Sequence, residues 1–140
     1  MFTTGYVLDP RYRAHGVPPD HPERPQRIDA LLDLMKRYSR EGLVKIEPRR
    51  AAVEDLGRNH DGWYIEKVKS TAGMDHFAFD PDTYASSRSW DTALLAAGGL
   101  LELCDRIMAG DIDNGFAFVR PPGHHAESNR AMGFCLFNNV

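Results

Sequence analysis

Phe116-Ala117-Phe118-Val119 runs without a polar residue and then breaks into Arg120-Pro121-Pro122-Gly123-His124-His125. Neighbouring side chains on a strand point to opposite faces, so a strand over Gly115–Val119 is apolar on both. Such a strand needs a covering layer on each side, as in a parallel sheet held between helices. The segment before it supplies a layer. From Ser89 to Ala109, Ala93, Leu94, Ala97, Leu100, Leu101, Cys104, Ile107 and Met108 recur at helical spacing, and Gly110 ends the run. Gly98 and Gly99 inside it cost about 1 kcal/mol each against alanine, which is tolerable where the helix lies close on a sheet. A long helix, an Asn114-Gly115 turn and a two-faced apolar strand define an α/β architecture of three layers, α/β/α, around a mostly parallel sheet.

The earlier chain fits that scheme. Tyr6-Val7-Leu8 reads as a short strand, and the proline-rich stretch from Arg11 to Pro25 as an irregular arm. Ile28, Leu31, Leu32, Met35 and Tyr38 mark a helix from Pro25 to Glu41, stopped at Gly42. Leu43–Ile46 is a candidate strand, Ala51–Leu56 and Asp61–Ser70 are short helices, and 76–89 reads as a loop around Pro81. Gly133–Val140 reads as the lead into a further helix or strand.

Composition narrows the function. With 17 basic and 20 acidic residues and a net charge of −3, the chain offers no basic surface for nucleic acid. No apolar run approaches the roughly 18 residues that cross a bilayer, and the start lacks the pattern of a signal peptide. Cys104 and Cys135 have no close-spaced partner and read as small core residues of a protein in a reducing cytoplasm.

The chemistry is concentrated after the apolar strand. Two consecutive histidines converge on one site only where the backbone leaves strand geometry. Pro121, Pro122 and Gly123 supply that departure, the prolines by fixing φ and the glycine by permitting conformations closed to other residues. The turn falls at the C-terminal end of a parallel strand, where α/β proteins place ligands. Imidazoles titrate near neutrality, so one ring can take a proton from water while the other stabilises charge.

Arg120-Pro-Pro-Gly-His-His-Ala126 with Gly133-Phe-Cys-Leu-Phe-Asn-Asn-Val140 closely resembles the zinc-dependent histone deacetylase family, including its bacterial, acetoin-utilisation and acetylpolyamine amidohydrolase members. Leu8-Asp9-Pro10 with His15, His21-Pro22-Glu23-Arg24-Pro25 with Arg27-Ile28, Asn59-His60 with Tyr64-Ile65, Asp80-Pro-Asp82-Thr-Tyr84, and Ala93 to Gly99 extend the likeness over the whole chain. The resemblance implies an arginase/deacetylase-like fold, of which residues 1–140 form the incomplete N-terminal part of one domain. It implies hydrolysis of an acetyl amide on acetyl-lysine, an acetylpolyamine or a similar amine. It places His124 at the metal-activated water and His125 as general base and then acid. Gly133 and Phe134 would line the tube that admits the substrate, with Asp80 or Asp82 at its rim and Arg120 as an internal anchor.

The departure is equally plain. The family's zinc ligands, an Asp-x-His pair and a further Asp, and its carbonyl-polarising Tyr would all lie beyond Val140. No Asp-x-His or Cys-x-x-Cys occurs here, and His15, His21, His60 and His76 lack the spacing of a closed zinc site. Zinc is therefore expected for a full-length protein and not from ligands in this chain, which alone is expected to be inactive. A sheet lacking later strands would leave an apolar edge through which copies self-associate. Two rivals stand beside the enzyme reading: a non-catalytic interaction module, and the related manganese arginase chemistry.

Overall fold

The computed structural model describes residues 2–38 and 40–140. β1 (Thr4–Val7) lies between β2 (Leu43–Lys45) and β5 (Asn114–Ala117), in the order β2-β1-β5 with both pairings parallel. The parallel register sets Tyr6 beside Lys45 on one side and Phe116 on the other.

The two faces of this sheet are packed differently. A Cβ on Gly5 would meet Ile112, Ile46 and Leu103, so Gly5 and, by alternation, Val7 face α4 (Ser89–Ala109). Tyr6 shares the other face with Phe118, whose ring stands 6.5 Å from it, in one apolar cluster with Ile28, Leu31, Leu32 and Met35 of α1 (Gln26–Arg37). Helices thus lie on both sides of a parallel sheet, an incomplete three-layer α/β arrangement.

α4 has the bounds its sequence gives it. Ser89 is buried at its start, and Gly110 closes it in the left-handed region at φ +79°, with the Asp111 N–H returning to Arg106 O at 3.0 Å. Its glycines answer a close approach, though only one does so against the sheet. A Cβ on Gly98 would stand 2.1 Å from Arg49 O, and one on Gly99 would meet Tyr12 and Val7 of β1. The apolar face expected along α4 divides in two. Ala93, Leu94 and Ala97 are buried, whereas Cys104 is exposed and Met108 is 86% exposed. Cys104 is therefore not a core residue; Cys135 is buried.

Other elements shift from expectation for local reasons. α1 stops at Arg37, because Tyr38 turns extended (φ −99°, ψ 113°) and gives its N–H to Leu34 O; Gly42, at φ +80°, serves the turn into β2 instead. Of the expected continuation to Glu41, Ser39 lies outside the described residues. α2 (Val53–Leu56) and α3 (Gly62–Lys69) are shorter than their sequence bounds. The segment read as a loop is a hairpin: β3 (Phe77–Asp80) pairs antiparallel with β4 (Thr83–Ala85) across Pro81. Gly133–Val140 forms neither helix nor strand but turns back through a Met132–Cys135 bridge. Among the described residues β5 is not covered on both faces, since Phe116 is 60% exposed. No described helix is long and apolar enough to cross a membrane.

Candidate active site

β5 carries the chain to the C-terminal edge of the sheet, where a buried polar knot redirects it. Arg120 has no exposed surface, and its Nε donates to both carboxylate oxygens of Glu23 at 2.9 and 3.0 Å. Its Nη1 donates to the Tyr12 carbonyl at 3.1 Å and to that of His15. Burial lowers the Arg120 pKa, and the facing Glu23 carboxylate opposes that shift. His15, also buried, meets the Ser89 hydroxyl through Nδ1 at 2.7 Å. Burial, then the charge of Arg120 and proximity to His21, push its pKa down to about 3, so it is neutral at the floor of the arm. Together these contacts hold the proline-rich arm beneath the turn.

Beyond Arg120 the peptide to Pro121 is cis, and Ala126 N–H bonds Gly123 O at 3.2 Å, closing a tight turn around the two histidines. Gly123 is required by space and not by a left-handed φ: a Cβ there would lie 2.1 Å from Asn139 Oδ1. Asn138 Nδ2 donates to Ala126 O at 3.1 Å, so the Asn-Asn pair grips both ends of the turn. The grip is relayed by His60, whose Nε2 accepts the Asn138 N–H at 2.9 Å; Nδ1 then carries the proton and donates to Ser128 O at 3.2 Å. Burial lowers the His60 pKa, in keeping with this neutral ring. The Tyr64 hydroxyl donates to Leu136 O and fixes the same segment.

The turn sets the rings of His124 and His125 side by side, centroids 4.3 Å apart and planes inclined by 53°, with both residues exposed. The remaining sequence-derived candidates form a train of contacts leading away from them. A Cβ on Gly133 (φ +55°) would meet the His125 ring at 2.7 Å, so backbone packs directly on imidazole. Phe134, at φ +71°, gives its N–H to Thr83 Oγ1 at 3.1 Å and stands edge-on to the His21 ring at 4.7 Å. His21 Nε2 donates to the Asp82 carbonyl at 2.9 Å. His21, Asp82, Tyr84 and Phe134 share the wall of a cleft of about 400 Å³.

The structure separates the two loop acids. Asp82 is exposed in that cleft, and its Oδ1 accepts from the Thr83 hydroxyl at 3.2 Å. Asp80 turns back into its own loop, Oδ1 accepting the Asp82 N–H at 3.0 Å. Its partial burial favours the neutral acid, but hydrogen bonds from Asp82 and Thr83 outweigh that and hold its pKa below the usual carboxylate range. Thr83, His21 and the Asn138–Asn139 pair are the positioning residues that sequence reasoning left without a role. The signal for Thr83 and His21 was their adjacency to Asp82 and Glu23, but nothing in the sequence joins positions 21, 83 and 134. Among the described residues no three His, Cys, Asp or Glu side chains gather into a set able to hold a metal. The residues present do not by themselves fit a zinc site.

The sheet thus leads into an exposed imidazole pair, which the Gly133–Phe134 backbone connects to an aromatic-walled cleft. The histone deacetylase domain family matches residues 21–140, and the chain belongs to that family. It is 34% identical to the histone deacetylase clr3 of Schizosaccharomyces pombe over 98% of its own length, and 37% identical to the human polyamine deacetylase HDAC10 over 84%. The crystal structure of the HDA15 HD domain superposes with a TM-score of 0.88 at 38% identity over 96% of the chain. The chain spans 22% of clr3, 19% of HDAC10 and 41% of the HDA15 domain structure.

Proposed function

We propose that residues 1–140 supply the proton-transfer pair and part of the substrate channel of a zinc-dependent deacetylase acting on acetyl-lysine, an acetylpolyamine or a similar acylated amine. The observation that carries this reading is the His124–His125 pair, rings 4.3 Å apart at the end of β5, in a chain of the histone deacetylase family. Amide hydrolysis needs a base to take a proton from the attacking water and an acid to return one to the leaving amine. His125, its ring seated on the backbone of Gly133, fills both roles, and His124 beside it stabilises the charge that passes between them. The Phe134 ring packs against the methylenes of the substrate chain. Asp82, held by Thr83 and His21, accepts hydrogen bonds from substrate N–H groups at the rim; Asp80 shapes the loop.

Zinc would be held by residues other than those of this chain. The two histidines alone provide an effect of about 10²- to 10⁴-fold, too little for an amide bond, so the 140-residue chain by itself does not turn over substrate. The test uses a fluorogenic acetyl-lysine substrate. The 140-residue protein gives no rate above buffer. A longer reading frame that carries these residues together with a metal-holding segment is active and is silenced by a strong chelator, and His125→Ala in it loses about 10²-fold or more. Undiminished turnover by His125→Ala would remove the base assignment, and chelator-resistant activity would remove zinc.

A further inference from the structure

We propose that His60 is a positioning residue for the His124–His125 pair, holding their turn through the acceptor on its Nε2 and releasing it when the ring is protonated. That the pair transfers protons rests on the deacetylase reading; how the turn is held does not. The turn has three moorings, and His60 connects them. Asn139 sits against Gly123 at its start, where there is no room for a Cβ. Asn138 Nδ2 donates to Ala126 O at 3.1 Å, directly after the pair. Ser128 O, two residues further on, accepts the Asp61 N–H at 2.9 Å and the His60 Nδ1–H at 3.2 Å. The backbone of the asparagine segment is held in turn by the Asn138 N–H donating to His60 Nε2 at 2.9 Å. One imidazole thus ties the loop that follows the pair to the segment that clamps it.

Only one protonation state serves both contacts. A neutral imidazole accepts at Nε2 and donates from Nδ1, whereas an imidazolium donates from both and would set one N–H against another at Asn138. The ring is buried between Tyr64, centroids 5.4 Å apart, and Phe137 at 5.2 Å. Several titratable groups surround it. Asp61 and Glu127 flank it in the chain and in the moored loop, and Asp55 and the Cys104 thiol line the cavity beside it. Asp55 is engaged by Arg49 at 3.1 Å, and the Tyr64 hydroxyl by Leu136 O. Burial lowers the His60 pKa, opposed by the Ser128 and Glu127 carbonyls and by the charge of Asp61. The neutral ring therefore prevails at pH 7, and release lies on the acid side of the ordinary imidazole range.

What the Nε2 acceptor controls is alignment. A shift of about 1 Å in a proton-transferring group costs on the order of 10²-fold in rate, even when its cause lies far from the reacting atoms. The two ring nitrogens can be tested separately. Glutamine places an amide oxygen near the position of Nε2 and keeps the acceptor for Asn138. Asparagine places an amide nitrogen near Nδ1 and keeps only the donor to Ser128. Neither side chain titrates.

The first experiment needs no activity. In the 140-residue protein, hydrogen exchange followed by NMR finds the Ala126 and Asn138 amides protected at pH 7. Each loses about tenfold of its protection as His60 takes up its proton. In His60→Gln that loss is absent over the same range, where circular dichroism shows both proteins folded. The second uses a longer reading frame active on the acetyl-lysine substrate. There His60→Asn lowers kcat about tenfold or more at pH 8, with KM within about twofold, and His60→Gln restores kcat to within about threefold of the parent. On the acid side, log kcat/KM of the parent falls about one unit per pH unit more steeply than that of His60→Gln, because one further proton silences it. A merely structural role would weaken both variants alike and leave the slope unchanged. Protection that stays flat through the titration, equal activity of the Asn and Gln variants, or acid limbs of equal steepness would each overturn the proposal. A longer frame with no deacetylase activity would overturn the catalytic reading instead, and hydrogen exchange would still decide whether His60 holds the turn.

Discussion

Phe116 and Arg120 stand four residues apart on one stretch of chain, and their environments are inverted. The aromatic ring is 60% exposed and the guanidinium has no exposed surface. At the strand, an apolar side chain faces water because no described helix packs over its face of β5. At the turn, a charge is buried because a carboxylate and two carbonyls were brought to meet it. Burying a charge is costly unless its donors find partners; Nε and Nη1 of Arg120 do while Nη2 does not, and those contacts tie the arm and the turn to one geometry. Leaving an aromatic residue exposed costs little folding free energy.

The largest expected effect tests the buried end. Arg120→Met removes the buried partner of the Glu23 carboxylate, leaving it the half-exposed Arg27 at 3.3 Å, and should cost about 3 kcal/mol, a large part of the stability of a domain this size. Urea unfolding followed by circular dichroism reads it directly.

Acid should strike the same end next. His15 has a folded pKa of about 3 against about 6.5 unfolded, so below pH 6.5 the unfolded chain binds the extra proton. Its contribution is complete above that value and is lost as pH falls, at up to about 1.4 kcal/mol per pH unit between about pH 6 and 4. Burial of His60 adds in the same direction. Urea midpoints across that range should fall steeply for the unaltered protein and less steeply for His15→Asn.

A smaller effect separates the two halves of α4. Gly98→Ala drives a methyl into the backbone of Arg49 to Ala51 and should cost about 1–3 kcal/mol. Gly110→Ala meets nothing in space but must hold φ +79°, at about 1–2 kcal/mol. Equal thermal shifts below experimental error for both would show that neither contact is as close as described. Smallest of all, Phe116→Ser should change stability by less than about 0.5 kcal/mol, read as a thermal midpoint. A large loss would mean that the ring is packed after all.

Much of this arrangement was legible in the chain. α4 could be bounded because its helical period is long and Gly110 ends it; the strand after it was recognised but misplaced, expected at Gly115–Val119 and found at Asn114–Ala117, with Asn114 and Gly115 in the ladder instead of a turn. The tandem histidines declared themselves through the turn chemistry around them. The hairpin of Phe77–Ala85 was missed because Pro81 and its acidic neighbours read as a loop, although they sit in the turn and the flanking aromatics form the strands. The contact train from His125 through Gly133, Phe134 and His21 to Asp82 was not readable, since its members come from three distant segments. Glu23 and Arg120, 97 positions apart, form a pair that no local pattern announces.

By itself the sequence determined the layer type, the long helix, the turn that gathers two imidazoles, and membership in the deacetylase family, because periodicity, prolines and motifs act over a few neighbouring residues. Only the tertiary structure decided which loop acid reaches the cleft and which residues hold the histidine turn. Those outcomes depend on distances between segments far apart in the chain, fixed when a buried charge had to find its partners.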